Sequence, residues 1–172
     1  MIDLHVRTAT LEDAAALLAL QAGPPDVSRR ELAELIQHTL KLYPFLVAEQ
    51  AGRVLGYAYG AAHRSLMALR WSVDARVEVP GQDPDVAAAL YNSLIRHLGE
   101  QGFMAIYAAV SVHDSDSADL HKRLGFAPIG VHQSIDVHCE ADYWCMTLAA
   151  SPAREEPVSF NVLQRRLELC GR

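Results

Sequence analysis

Hydrophobic and polar positions change their period several times along the chain. Residues 3–7 (DLHVR) alternate as in a half-buried strand. From Thr10 the interval becomes helical. Leu11, Ala14, Leu17 and Leu18 make one apolar face, Thr10 stands as cap and Asp13 falls at the third helical position. The stretch AGPPD, residues 22–26, breaks this helix. Ser28 and Glu31 stand at capping-box spacing and open a second helix through Leu32, Leu35, Ile36 and Leu40. FLVAEQAGRVLGYAYGAAHR then reads as a hairpin turning at Ala51-Gly52, and residues 69–79 (LRWSVDARVEV) as a third long strand.

Residues 84–99 predict a helix ended by Gly99 or Gly102. The wholly apolar run FMAIYAAVSV predicts a strand buried on both faces. DSDSADLHKRLGF predicts a short helix closed by Gly125, and APIGVHQSIDVH and DYWCMTLA predict two last strands. The order β α α β β β α β α β β defines an α/β fold with a mixed sheet, in which the helix at 84–99 crosses between neighbouring strands. SPAREEPVS, residues 151–159, reads as a linker, so the expected organisation is one domain over 1–150 and a tail over 151–172. In the tail Val162, Leu163 and Leu167, with Leu169 or Cys170, recur at helical intervals. That face would dock on its own body or, in a homodimer, on a second subunit.

Composition narrows the function classes. The chain has 172 residues, 51% of them hydrophobic, which suits one domain with a sizeable core. A net charge of −6 argues against a nucleic-acid partner. No apolar run is long enough for a membrane span, and MIDLHVRTAT lacks the basic-then-apolar order of a signal peptide. Cys139, Cys145 and Cys170 make an odd count without CxxC spacing, as expected of free thiols in a cytoplasmic protein. His132, His138, Cys139, Glu140 and Cys145 fit no closed zinc spacing, so no metal site is expected. There is neither a GxSxG nor a P-loop motif.

The junction VEVPGQDPDVAAAL runs from strand through turn to helix, the arrangement that often cradles a phosphate on backbone N–H groups. Here Asp83 suits the N-cap, Pro84 the first helical position and Asp85 the first turn. The helix start is therefore supplied with its own carboxylates, and Pro84 has no N–H to donate.

The element order and several local stretches resemble the GNAT superfamily of acyl-CoA-dependent N-acyltransferases, and within it the phosphinothricin N-acetyltransferase branch. The matching stretches are VRTATLEDAAALLAL, YPFLVAEQAGRVLGYAYG, WSVDARVEV, LYNSLIRHLGEQGF and DLHKRLGFAPIGV, together spanning roughly residues 4–148. The resemblance implies a mixed sheet of about seven strands, acetyl-CoA as co-substrate and the primary amine of a small molecule as acceptor. It implies that the backbone of Val77, Glu78 and Val79 pairs with the pantetheine arm. The diphosphate would lie on Gln82, Val86, Ala87 and Ala88, with Asp114 at the cofactor arm. The family's loop reads Gln/Arg-x-x-Gly-x-Gly/Ala. This chain has Gln82-Asp83-Pro84-Asp85-Val86-Ala87, a degenerate version with Asp85 at the first glycine.

The resemblance also places His121 at the branch's functional histidine and Asp74 at its central-strand glutamate. His121 would act at the leaving thiolate or as a relay, since an imidazole exchanges protons near neutral pH. Asp74 would assist deprotonation of the amine through water. Read without the resemblance, His121 is an ordinary helix histidine, Asp74 a solvent-facing strand acid and Asp114 a helix cap. Tyr59 and Trp71 occupy matching substrate-side places, although both residue types are more often core or wall than ligand. Leu66 and Leu69 replace the branch's Arg-x-x-Tyr element, and AGPPD shortens its substrate loop, which points to a more apolar acceptor or to none. The other class of function open to this sequence is a GNAT-fold binding or regulatory module that does not take acetyl-CoA in the usual way.

Overall fold

The computed structural model describes residues 4–20, 27–63, 70–111, 114–133, 140–148 and 156–170. Strand β1 (His5–Thr8) leads into a single 3-10 turn (Leu11–Asp13) and helix α1 (Ala14–Leu20). Asp13 closes the capping box, accepting from the Thr10 N–H at 2.7 Å, and takes both Arg7 terminal nitrogens at 2.8 Å. The same arginine reaches Glu49 at 2.9 Å. The guanidinium holds the Asp13 carboxyl below the usual carboxylate range. Leu11 departs from expectation: the helix packs only from Ala14 onward, so Leu11 in the opening turn is 50% exposed.

Helix α2 (Arg29–Leu42) starts at the expected capping box, Ser28 Oγ accepting from Glu31 N and Glu31 accepting from Ser28 N. Leu32 and Ile36 are buried, whereas Leu35, at the margin of their stripe, is exposed. Strands β2 (Phe45–Gln50) and β3 (Arg53–Ala62) turn at Ala51 and Gly52, both with positive φ, as a two-residue hairpin loop requires. They are followed by β4 (Ser72–Glu78), α3 (Pro84–Gln101), β5 (Ala105–Ser111), α4 (Ser115–Leu124), β6 (Ala127–Gln133), β7 (Glu140–Thr147) and α5 (Phe160–Leu169). Gly102, at φ +97°, ends α3, and Gly125, at φ +95°, ends α4.

Among the described residues these strands form one seven-stranded sheet, ordered β1-β2-β3-β4-β5-β7-β6. Only β4 and β5 run parallel, and α3 is their crossover. On one face Leu90, Leu94 and Leu98 of α3 pack with Leu46, Ala58, Val73 and Ile106. On the other, Leu17, Leu32 and Ile36 cover Phe45 and Val47.

The tail helix lies on this body. Phe160 and Leu163 of α5 are buried, and Phe160 meets His97 edge-on at 5.6 Å between ring centres. Gln101 fixes the approach, its side chain donating to the Leu42 and Val158 carbonyls at 2.8 and 2.7 Å. The expected face of Val162, Leu163 and Leu167 is thus corrected. The chain enters through Phe160, which turns Val162 toward solvent at 38% exposure.

Candidate active site

The cleft begins where the sheet stops being continuous. Strands β4 and β5 pair at Ser72–Ala105, Val73–Ile106 and Asp74–Tyr107, and beyond that point they part. Residues 75–78 therefore pair only with β3, and 108–111 only with β7. This corrects the expectation that β5 is buried on both faces. Ile106, Ala108 and Val110 are buried, but Ala109 and Ser111 are exposed because their neighbouring strand has diverged.

Two cavities, of about 240 and 350 Å³, share Val77, Glu78, Tyr91 and Ser117 and so are parts of one opening. The smaller is also lined by Val79, Gln82, Pro84, Ala87 and Asp114. The larger adds Tyr57, Tyr59, Arg76, Ala109 and His121. The structure thus brings Val77, Glu78, Val79, Gln82, Ala87 and Asp114 together at the smaller part, and Tyr59 with His121 at the larger. Val86 is buried in the core and Ala88 packs against it, and neither lines the opening. Trp71 also lies outside it, beneath the Arg70 guanidinium at 4.2 Å. Leu66, Leu69 and residues 22–26 lie outside the described residues. Strand alternation puts Arg76 and Glu78 in the larger cavity's wall, which is therefore charged.

At the mouth, Pro80 and Gly81 make a turn closed by Gln82 N to the Val79 carbonyl at 3.0 Å. Gly81 at φ +80° suits it, and Gln82 follows at φ +52°, a left-handed conformation that costs a non-glycine residue about 1–2 kcal/mol. Its side chain donates to Asp114 Oδ2 at 3.2 Å. Asp114 meanwhile caps α4, accepting from Ser117 N at 2.9 Å, so its capping reading holds here. The start of α3 is self-satisfied. Asp83 Oδ1 accepts from the N–H groups of Asp85 and Val86 at 3.0 and 3.3 Å, and its carbonyl from Ala87 N at 3.0 Å. Pro84 has no N–H.

These observations test the residues against acetyl-CoA in two parts. The parted strands offer an unpaired β4 edge and a lined opening, which fit an extended arm. At the loop, Asp83 already accepts from the N–H groups of Asp85 and Val86 and Pro84 has none, so these three positions offer a diphosphate no free N–H.

His121 is not an ordinary surface histidine. It is 2% exposed, with Nδ1 2.7 Å from the Ser117 carbonyl and Nε2 2.8 Å from the Tyr91 hydroxyl. A carbonyl only accepts, so Nδ1 carries the proton and Nε2 accepts from Tyr91. Burial lowers the histidine's pKa and raises that of Tyr91. Asp74 does not stand alone either: Oδ1 lies 2.5 Å from His63 Nδ1, and the His63 ring stacks on Tyr107 at 3.9 Å between centres.

Tyr91 and His63 were both absent from the sequence-derived candidates, yet each had a signal. Pro84, Ala87 and Tyr91 share one helical face, and Tyr57, Tyr59, Ala61 and His63 share one strand face. Among the described residues no three histidine, cysteine or acidic side chains cluster in a way that could hold a metal. Nor is any helix there long and apolar enough to cross a membrane. His138 and Cys139 lie outside the described residues.

A mixed sheet parted between two parallel strands, with a helix start at the mouth of the gap, defines the acyl-CoA N-acyltransferase class of fold. Residues 6–135 match the family described as acetyltransferase (GNAT) domain, and the chain belongs to that family. It is 33% identical over 90 residues to the phosphinothricin N-acetyltransferase of Streptomyces viridochromogenes, a match spanning 51% of this chain and 49% of that enzyme. It is also 33% identical over 122 residues to the L-methionine sulfoximine/L-methionine sulfone acetyltransferase of Pseudomonas aeruginosa, covering 67% and 70% of the two chains. Among solved structures, a phosphinothricin acetyltransferase of Sinorhizobium meliloti in complex with acetyl-CoA superposes with a TM-score of 0.76 at 22% identity. That superposition covers 90% of this chain and 93% of the other.

Proposed function

We propose that the protein transfers an acetyl group from acetyl-CoA to the primary amine of a small molecule, by direct attack of the amine on the thioester. The observation that carries this reading is the parting of β4 and β5 immediately after the Asp74–Tyr107 pair. It leaves a backbone edge for the donor's arm, with Asp74 at the closed end and the Tyr91–His121 pair along the wall. Asp74 belongs to the amine side and His121 to the thiol side. His121 has no proton of its own to give while Nδ1 is held by Ser117, so it orients the Tyr91 hydroxyl, which passes its proton to the thiolate and takes the attacking nitrogen's excess proton in its place. Acetyl-CoA, the donor in the complex of the Sinorhizobium relative, is the donor proposed here.

The test is titration calorimetry with acetyl-CoA, followed by thiol release assayed over a panel of small primary amines. Binding followed by amine-dependent thiol release supports the proposal; a donor that binds without any transfer overturns it. A second reading is favoured by the Asp83 cap, which engages the N–H groups expected to hold the diphosphate. In that reading the protein is a GNAT-fold binding module that does not take acetyl-CoA in the usual way. It predicts no heat with acetyl-CoA and no shift in melting temperature, whereas ligand at one hundred times Kd adds about 2.7 kcal/mol of stability.

A further inference from the structure

The last paired position between β4 and β5 carries an arrangement that the acetyl-transfer reading does not by itself require. Asp74 and Tyr107 face each other across the two strands, and His63 bridges them, bonded to one and stacked on the other. His63 and Asp74 side chains are only 9% and 21% exposed. The bridge therefore sits at the apex of the gap, where the strands separate. A carboxylate accepts, so Asp74 holds the proton on Nδ1 and leaves the lone pair of the neutral ring on Nε2. A ring oriented by a carboxylate on one nitrogen is the usual arrangement of a histidine base.

We infer that His63, oriented by Asp74, is the general base that deprotonates the acceptor amine. This rests on the N-acetyltransferase reading and changes the role of Asp74 within it, from base to positioning residue. The substrate ammonium gives one proton to His63 Nε2. The amine lone pair forms the N–C bond to the thioester carbonyl carbon, the C–S bond breaks and the sulfur leaves with its electron pair. The nitrogen's second excess proton passes to the sulfur, and His63 returns its own proton to water. Tyr107 fixes the ring plane by stacking. The titratable groups on this face of the neighbouring strands, among the described residues, are Tyr57 and Tyr59 on β3, Arg76 and Glu78 on β4, Tyr107 on β5, and Tyr143 and Cys145 on β7. Arg76 and Glu78, of opposite charge, lie two and four residues along the strand from Asp74.

The inference is tested in the full chain with His63→Phe, which keeps a ring to stack on Tyr107, and with Asp74→Asn. In the free protein, 15N NMR of the imidazole should show His63 as the Nδ1–H tautomer, with that preference weakened by Asp74→Asn. The opposite tautomer overturns the inference. With a reactive amine, each variant should lose about 100-fold in kcat near pH 7 with KM for acetyl-CoA unchanged. The deficit should shrink as pH rises, because solution then supplies free amine, and the double variant should be no slower than either single one. A His63→Phe enzyme with the wild-type rate and pH profile overturns the inference but leaves the acetyltransferase reading standing. A wild-type protein that binds no acetyl-CoA and acetylates no amine overturns both.

Discussion

The Tyr91 hydroxyl lies 2.8 Å from Nε2 of His121, which is 2% exposed and bonded through its other nitrogen to the Ser117 carbonyl. Each nitrogen thus has one partner, and neither partner is water. Removing the Tyr91 hydroxyl strands a buried acceptor. Tyr91→Phe should cost about 1–3 kcal/mol in urea denaturation. Adding His121→Leu should return part of that loss, because replacing both partners with apolar groups leaves no orphan. Strictly additive losses would show that the two rings are not coupled.

The same burial sets a pH dependence. His121 is pushed below its ordinary value by desolvation, and His97 by desolvation and Arg96, with Glu100 pulling the other way. A histidine with a lowered folded pKa binds fewer protons folded than unfolded. Its neutral, buried form is accommodated fully only above the unfolded value of about 6.5, and stability falls as pH drops below it. The melting temperature should be lower at pH 5.5 than at 7.5, and the difference should shrink in a His97→Gln/His121→Gln variant. An unchanged difference would place the acid sensitivity elsewhere.

Gly56 of β3 packs tightly against the end of β4. A Cβ there would lie 2.8 Å from the Glu78 carbonyl, 2.9 Å from Val79 Cγ2 and 3.3 Å from Leu90. The first contact is backbone and cannot rotate away. Gly56→Ala should destabilise by about 1–3 kcal/mol, as overpacking does. It should also weaken any ligand bound at Val77 and Glu78, since it displaces the strand end that carries them. Gly52→Ala, with nothing within 4 Å but φ at +78°, would cost through backbone strain alone and leave binding unchanged. Denaturation and calorimetry on the two variants separate space from strain.

How much of this could be read from the sequence follows the range of each interaction. The start of α3 was legible because Asp83, Pro84 and Asp85 act within one turn, and so was the Ser28–Glu31 box. The burial of β5 departs from its pattern because an apolar run is silent about a neighbour that swings away; Ala109 looks like core and lines a cavity. His63 is silent in the sequence for a related reason. Its meaning depends on Asp74 and Tyr107, eleven and forty-four positions on, which only the sheet register brings beside it. Tyr91 shares a helical face with Pro84 and Ala87, yet nothing local announces that the opposite wall holds a histidine.

The loop offers the sharpest separation of two physical causes. In the binding-module reading Asp83 has two ways to oppose a diphosphate, its charge and its engagement of the N–H groups of Asp85 and Val86. Asp83→Asn removes the charge but keeps a side-chain oxygen for the cap, so α3 should lose little stability. Asp83→Ala removes both and should cost about 1 kcal/mol of stability. If charge is the obstacle, acetyl-CoA affinity should rise by about tenfold or more in both variants, a gain of about 1.4 kcal/mol per decade, and should respond to salt. If engagement of the N–H groups is the obstacle, only Asp83→Ala should gain, and added salt should change little. Calorimetric titration of the two variants at low and high ionic strength decides between them. Equal and unimproved affinity in both would acquit Asp83 and leave Pro84 and Asp85 as the residues to revert.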